Sequence, residues 1–182
     1  MDAIDAILNR TSWARLVEPG PSKDELETIY QAALRAPDHA MLRPWRFLVI
    51  EGEARNKLGK LFVDAIQPET EEEHEKLLNA PLRAPLIIVA VATLREHPKV
   101  PAIEQTGAVA AAVQNRSIAT YALGYASIWR TGAAAFNDKI KEGLGLNTSD
   151  EIVGFVYIGT PTVKNRKVPV NSTEDFFQEW KG

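Results

Sequence analysis

Cysteine is absent from the 182 residues, which removes disulfides, thiolate metal ligands and cysteine nucleophiles from consideration. Histidine is scarce: His39, His74 and His97 lie far apart and show no HExxH or comparable zinc spacing, so no metal site is expected. There is no glycine-rich P-loop and no GxGxxG after a strand, which leaves a Walker or Rossmann phosphate site unsupported. Ser12, Ser22, Ser117, Ser127, Ser149 and Ser172 include no GxSxG elbow, so hydrolase chemistry loses most of its usual signals. The longest apolar run, APLIIVAVATL over 84–94, falls short of the about 20 residues that a membrane-crossing helix needs. The start, MDAIDAILNR, has no basic region leading into an apolar stretch, so no secretory leader is expected. A formal net charge of −3 gives no general pull toward nucleic acid or anionic membrane. These absences predict a soluble cytoplasmic protein with no nucleic-acid, membrane or metal partner.

What is present is ordinary globular material, 45% hydrophobic and 25% charged, which predicts one domain over 1–182 with a substantial core. Apolar residues at helical spacing mark a first helix over Asp2 to Asn9. A second opens with Ser22 and Glu25 as a capping box and continues through Leu26, Ile29, Tyr30, Ala33 and Leu34. WRFLVIEG alternates and ends in glycine, as a strand does. Leu58, Leu61, Phe62, Ala65 and Ile66 mark a further helix stopped by Pro68, and ETEEEHEKLL reads as a short solvated one. PLIIVAVA, apolar on both faces, is a buried central strand. IEQTGAVAAAVQNRSIATYALG is the longest helical pattern, closed by Gly124. YASIWR and EIVGFVYIG complete the strands, with a short helix between them around 136–143. The fold class is α+β: a few strands surrounded by helices.

The long helix carries Gly107, Ala108, Ala110, Ala111, Ala112, Ser117, Ala119 and Ala122, small residues that let other backbones approach. They suit a tightly packed core helix, a helix packed on its twin in a dimer, or both. Cations stand at turns. In NRTS, Arg10 with the Thr11 and Ser12 hydroxyls can form an anion cup, or merely a solvated helix end. VKNRK places Lys164 and Arg166 on one side if extended, or forms a basic surface turn. In SIWRTGA a strand runs through Trp129 into Arg130, Thr131 and Gly132, and the glycine permits close approach to a ligand. The joint RAPDHAMLRPW, 35–45, holds Arg35, Pro37, Asp38, His39 and Arg43 where a helix-to-strand connection needs only a few turn formers.

Taken in order, these segments resemble the nitroreductase family of flavoproteins, in its compact form. NRTSWARL resembles the family's arginine-arginine-serine motif. RAPDHAMLRPWRFLVIEG resembles its alanine-proline segment with the following proline-tryptophan strand. LGYASIWRTG resembles the glycine-containing strand at the flavin, and IVGFVYIGTP the last core strand. The resemblance spans about residues 2 to 170.

The resemblance implies a nitroreductase-like fold with a mainly antiparallel central sheet, and an FMN-binding homodimer with sites across its interface. NAD(P)H would reduce FMN, which then reduces a nitroaromatic, quinone or similar acceptor; the chemistry would rest on the cofactor, with no catalytic side chain. By the same resemblance Arg10, Thr11 and Ser12 hold the phosphate and ribityl end, with Lys164 and Arg166 as further phosphate contacts. Trp129, Arg130, Thr131 and Gly132 line the ring, a backbone N–H of Thr131 or Gly132 donating to N5. Arg35, Pro37, Asp38 and His39 reach the partner subunit's flavin, and Ala119 lies near the nicotinamide nucleotide. Departures from the family pattern are Thr11 and Ala14 in place of basic residues, Arg15 one place later, and Arg43 in place of glutamine. Rival readings are a flavin-binding protein without turnover, for storage or sensing, and a dehalogenase or desaturase on the same fold.

Overall fold

The computed structural model describes residues 1–163 and 167–182. Helix α1 (Ala3–Asn9) starts at Asp2, whose carboxylate accepts the Ile4 N–H at 2.8 Å. Its apolar spacing makes a helix as expected, yet only Ala6 is buried, while Ile4, Ile7 and Leu8 face outward. A two-residue strand, β1 (Leu16–Val17), follows, then α2 (Lys23–Ala33) with the full Ser22–Glu25 capping box. Tyr125 adds a third donor to that carboxylate, its hydroxyl lying 2.9 Å from Glu25 Oε2.

Strand β2 (Trp45–Glu51) leads into α3 (Glu53–Ile66) and α4 (Glu71–Leu78). Strand β3 (Leu86–Thr93) precedes the long α5 (Ala102–Ala122), and β4 (Ala126–Arg130) precedes the short α6 (Asp138–Gly143). The last strand is β5 (Asp150–Pro161). Past the end of α5, Gly124 has φ +91°, a left-handed conformation that favours glycine and turns the chain toward β4.

The pairings among β1–β5 are all antiparallel. β3 lies between β2 and β5, and the other edge of β5 pairs with β4 over 155–159 and with β1 over 160–161. From Leu86 to Ala92 every β3 residue is buried, because helices cover both faces. Leu86, Ile88, Ala90, Val156 and Ile158 pack against Val109 and Val113 of α5. Ile87, Val89, Val91, Phe155 and Tyr157 pack against Leu58 and Phe62 of α3 and Ile140 of α6. Each fully buried Ile or Val contributes about 1.5–3 kcal/mol to folding.

A bulge interrupts β5: Ala90 pairs with Gly154 and Val91 with Ile152, leaving Val153 as the extra residue. The Trp129 indole N–H donates to the Val153 carbonyl at 3.0 Å, and its ring lies where a side chain on Gly154 would stand. The small residues of α5 divide. Ala108, Ala112 and Ser117 are buried in the subunit, whereas Gly107 and Ala122 are exposed.

Candidate active site

Arg10 caps the end of α1, its N–H bonding to the Ala6 carbonyl at 3.1 Å. Two residues on, Ser12 forms a parallel bridge with Ser127 of β4, and the Trp13 N–H donates to the Ser127 carbonyl at 3.2 Å. The Arg10–Thr11–Ser12 segment is therefore tied to one end of β4. At the other end β4 runs into Thr131 and Gly132. At about 3.3 Å per residue, Ser127 and Thr131 stand about 13 Å apart.

At that far end lies a cavity of about 400 Å³. Arg130, Thr131 and Gly132 line it, together with Phe62, Ile66 and Leu77, Phe155 and Tyr157, and the cations Lys76 and Arg83. No carboxylate is among its described walls. Gly132 has φ +60° and ψ −171°, a glycine conformation, with open space where a Cβ would project. Arg130 Nε is buried without a hydrogen-bond partner among the described residues. Burial pushes the Tyr157 phenol up from its ordinary pKa, while the charges of Arg130 and Arg83 pull it partly back. The group stays a neutral O–H donor at neutral pH.

Lys76, Arg83 and Tyr157 are not among the residues expected at the site from sequence. Lys76 is hidden in an acidic helix, and Tyr157 reads as one more apolar strand position. Arg83 carried a signal, a cation between prolines where β3 begins.

Thr11 lines a second cavity of about 690 Å³ with Asp5, Asn9, Trp13, Tyr121 and Tyr125. Its described walls include no lysine or arginine. Lys164 and Arg166 lie outside the described residues. Ala119, half-buried in the last turns of α5, lines neither cavity. Trp129 is 40% exposed and its polar edge is committed to the bulge.

The joint 35–43 is not brought to the basic cavity within its own subunit. It packs instead on the start of α5, where His39 Nδ1 lies 2.7 Å from Glu104 Oε2. Asp38 Oδ2 accepts the Arg43 backbone N–H at 2.6 Å. Ala40, Met41 and Arg43 have φ of 60°, 50° and 48°, a left-handed region that non-glycine residues seldom occupy. Arg35, Pro37 and His39 are exposed, and Asp38 is half-buried.

Residues 7–160 match the sequence profile of the nitroreductase family. The chain belongs to that family of oxidoreductases. Escherichia coli (strain K12) YdjA, whose name is that of a provisional NAD(P)H nitroreductase, is 42% identical over 166 residues, covering 90% of this chain and 91% of YdjA. A Haemophilus influenzae protein with the same kind of name is 35% identical over 181 residues, covering 97% and 98%. The crystal structure of a nitroreductase-like family protein from Bacillus cereus matches with a TM-score of 0.86 at 25% identity, over 100% of this chain and 97% of that one. NfnB, an FMN and NADPH-dependent nitroreductase from a Sphigopyxis strain, shares the fold with a TM-score of 0.79 at 17% identity, over 100% of both chains. The α+β fold with an antiparallel sheet is thus that of nitroreductases, as the sequence resemblance predicted.

Proposed function

We propose that this nitroreductase-family chain is an FMN-dependent NAD(P)H oxidoreductase that acts on a nitroaromatic, quinone or similar acceptor. The carrying observation is the cavity beside Thr131 and Gly132, with three cations and a buried phenol set against Phe62, Ile66, Leu77 and Phe155. Apolar walls suit a flat ring system, and the buried, unpartnered Arg130 Nε suits an electron-rich ring edge. The residues therefore fit a flavin. When bound, FMN supplies the hydride acceptance and donation that no side chain here offers.

The chain's own work is binding, orientation and polarity. Lys76, Arg83 and Arg130 favour the negative charge that accompanies reduction. Each such cation favours that charge more strongly the less water screens it, so Lys76, which is exposed, contributes least. Tyr157 holds its proton and offers it as a hydrogen-bond donor. Thr131 and Gly132 bring backbone N–H groups to the ring, and Trp129 steadies their strand through Val153. Arg10, Thr11 and Ser12 take the ribityl and phosphate end, about 13 Å along β4, with Lys164 and Arg166 as further phosphate contacts. Ala119 lies toward the nicotinamide nucleotide.

The joint completes the site from the other subunit of a homodimer: Arg35, Pro37, Asp38 and His39 of each copy reach the flavin of its twin. Exposed apolar side chains support the dimer, among them Ile4, Ile7 and Leu8 of α1 and Ile103 of α5. The need for reduced nicotinamide nucleotide supports a cytoplasmic location.

The purified chain is expected to be yellow, with one FMN per subunit, to be bleached by NADH or NADPH without oxygen, and to regain its colour with a quinone or nitroaromatic. A chain that takes up no FMN sinks the proposal. One that binds FMN but is bleached by neither nucleotide supports storage or sensing instead, and reoxidation only by a halogenated substrate would point to dehalogenation.

A further inference from the structure

Glu104 lies on the first turn of α5, away from the basic cavity, and its carboxylate meets His39 Nδ1 at 2.7 Å. Both side chains are about half exposed, so the pair contributes little to stability by itself. Its place is nevertheless specific. Gln105, the next residue, is buried and clamps the preceding loop: it accepts the Arg95 N–H at 3.0 Å and donates to the Arg95 and Val100 carbonyls at 2.8 and 3.2 Å. The start of α5 is thereby anchored, and Glu104 projects from a rigid base.

The joint opposite is strained. Ala40, Met41 and Arg43 are left-handed, each costing about 1–2 kcal/mol. Asp38 closes the loop internally by holding the Arg43 N–H. Among the described residues, the His39–Glu104 pair is the side-chain bond that ties the loop to another element. A carboxylate oxygen can only accept from Nδ1–H, which fixes the ring's orientation and leaves Nε2 as the nitrogen not engaged by α5.

We infer that Glu104 is a positioning residue: by holding His39 Nδ1 it aims Nε2 and the joint at the flavin of the partner copy. The inference rests on the FMN reading above. The rival explanation is that Glu104 merely favours the helix N-terminus, an effect independent of His39.

FMN titration of the apo protein, followed by flavin fluorescence and the visible spectrum, separates the two through a double-mutant cycle. Glu104→Ala and His39→Ala are each expected to raise the FMN Kd about fivefold to tenfold, and the double variant no further than the larger single change. Glu104→Gln keeps an acceptor for Nδ1–H and should remain within about twofold of the unchanged chain. An unchanged Kd in either alanine variant, effects that multiply in the double variant, or a glutamine variant as weak as the alanine one would each overturn the positioning role. An unsubstituted chain that takes up no FMN removes the FMN reading and this inference together. Binding that is intact but indifferent to Glu104 removes the inference alone.

Discussion

Arg116 is the least expected residue of the core. It is 1% exposed on the sheet-facing side of α5, and none of its three guanidinium nitrogens has a partner among the described residues. The Phe47 ring lies 5.4 Å below its charge, worth about 0.5–2 kcal/mol. That offsets only part of the desolvation. Burial drives its pKa down to about 9, with Tyr30 opposing the shift. A cation whose pKa falls on folding destabilises the folded state wherever it stays charged. Below about pH 9 both states hold the proton and the penalty is constant; above it the folded state releases the proton first, and the penalty shrinks as pH rises. Arg116→Met, similar in reach and apolar, is expected to stabilise the protein by about 1–3 kcal/mol at pH 7. Urea midpoints of both chains should show that advantage narrowing above about pH 9; a destabilised variant would mean that the guanidinium holds a partner beyond the described residues.

Among the elements, the contact between α3 and α4 governs the basic cavity. A Cβ on Gly59 would overlap the Leu78 carbonyl at the end of α4. Alanine in a helix interior normally gains about 1 kcal/mol over glycine. Here the obstacle is backbone, which cannot turn aside as a side chain does, so overpacking wins. Gly59→Ala is expected to lose about 1–3 kcal/mol of stability. Because α4 carries Lys76 and Leu77 of the cavity wall, the variant should also bind FMN more weakly. Thermal unfolding together with FMN titration checks both; a chain with unchanged melting temperature would show that the helices separate freely.

For the whole molecule, the proposed homodimer would bring one face of α5 against another copy. The face carrying Val109 and Val113 is used up by the sheet. Gly107 is exposed, and a Cβ there would meet nothing within 4 Å of the same chain. Gly107→Trp should therefore leave the subunit folded while blocking close approach of a twin helix. Sedimentation is expected to give a dimer for the unsubstituted chain and a monomer for the variant, with unchanged helical circular dichroism. A variant that remains dimeric would move the interface elsewhere.

Periodicity and turn residues alone determined most elements: the Ser22–Glu25 cap, the doubly buried β3, and Gly124 as the end of α5 are local effects that a short stretch of chain encodes. The strand running into Thr131 and Gly132 was legible for the same reason, a glycine where the backbone must open. Tertiary structure decided the rest. Ile4, Ile7 and Leu8 have the spacing of a core-facing stripe, yet α1 turns them outward, because periodicity defines a face and not what covers it. Arg116 reads as a surface cation of a long helix until the sheet lies over it. Arg43, where the family often carries glutamine, contributes its backbone N–H to Asp38 in a left-handed turn, a role set by conformation. Lys76 and Arg83 converge with Arg130, and His39 with Glu104, at sequence separations of 47 to 65. Such charge clusters form only when separate elements pack together, and no local pattern of the chain records them.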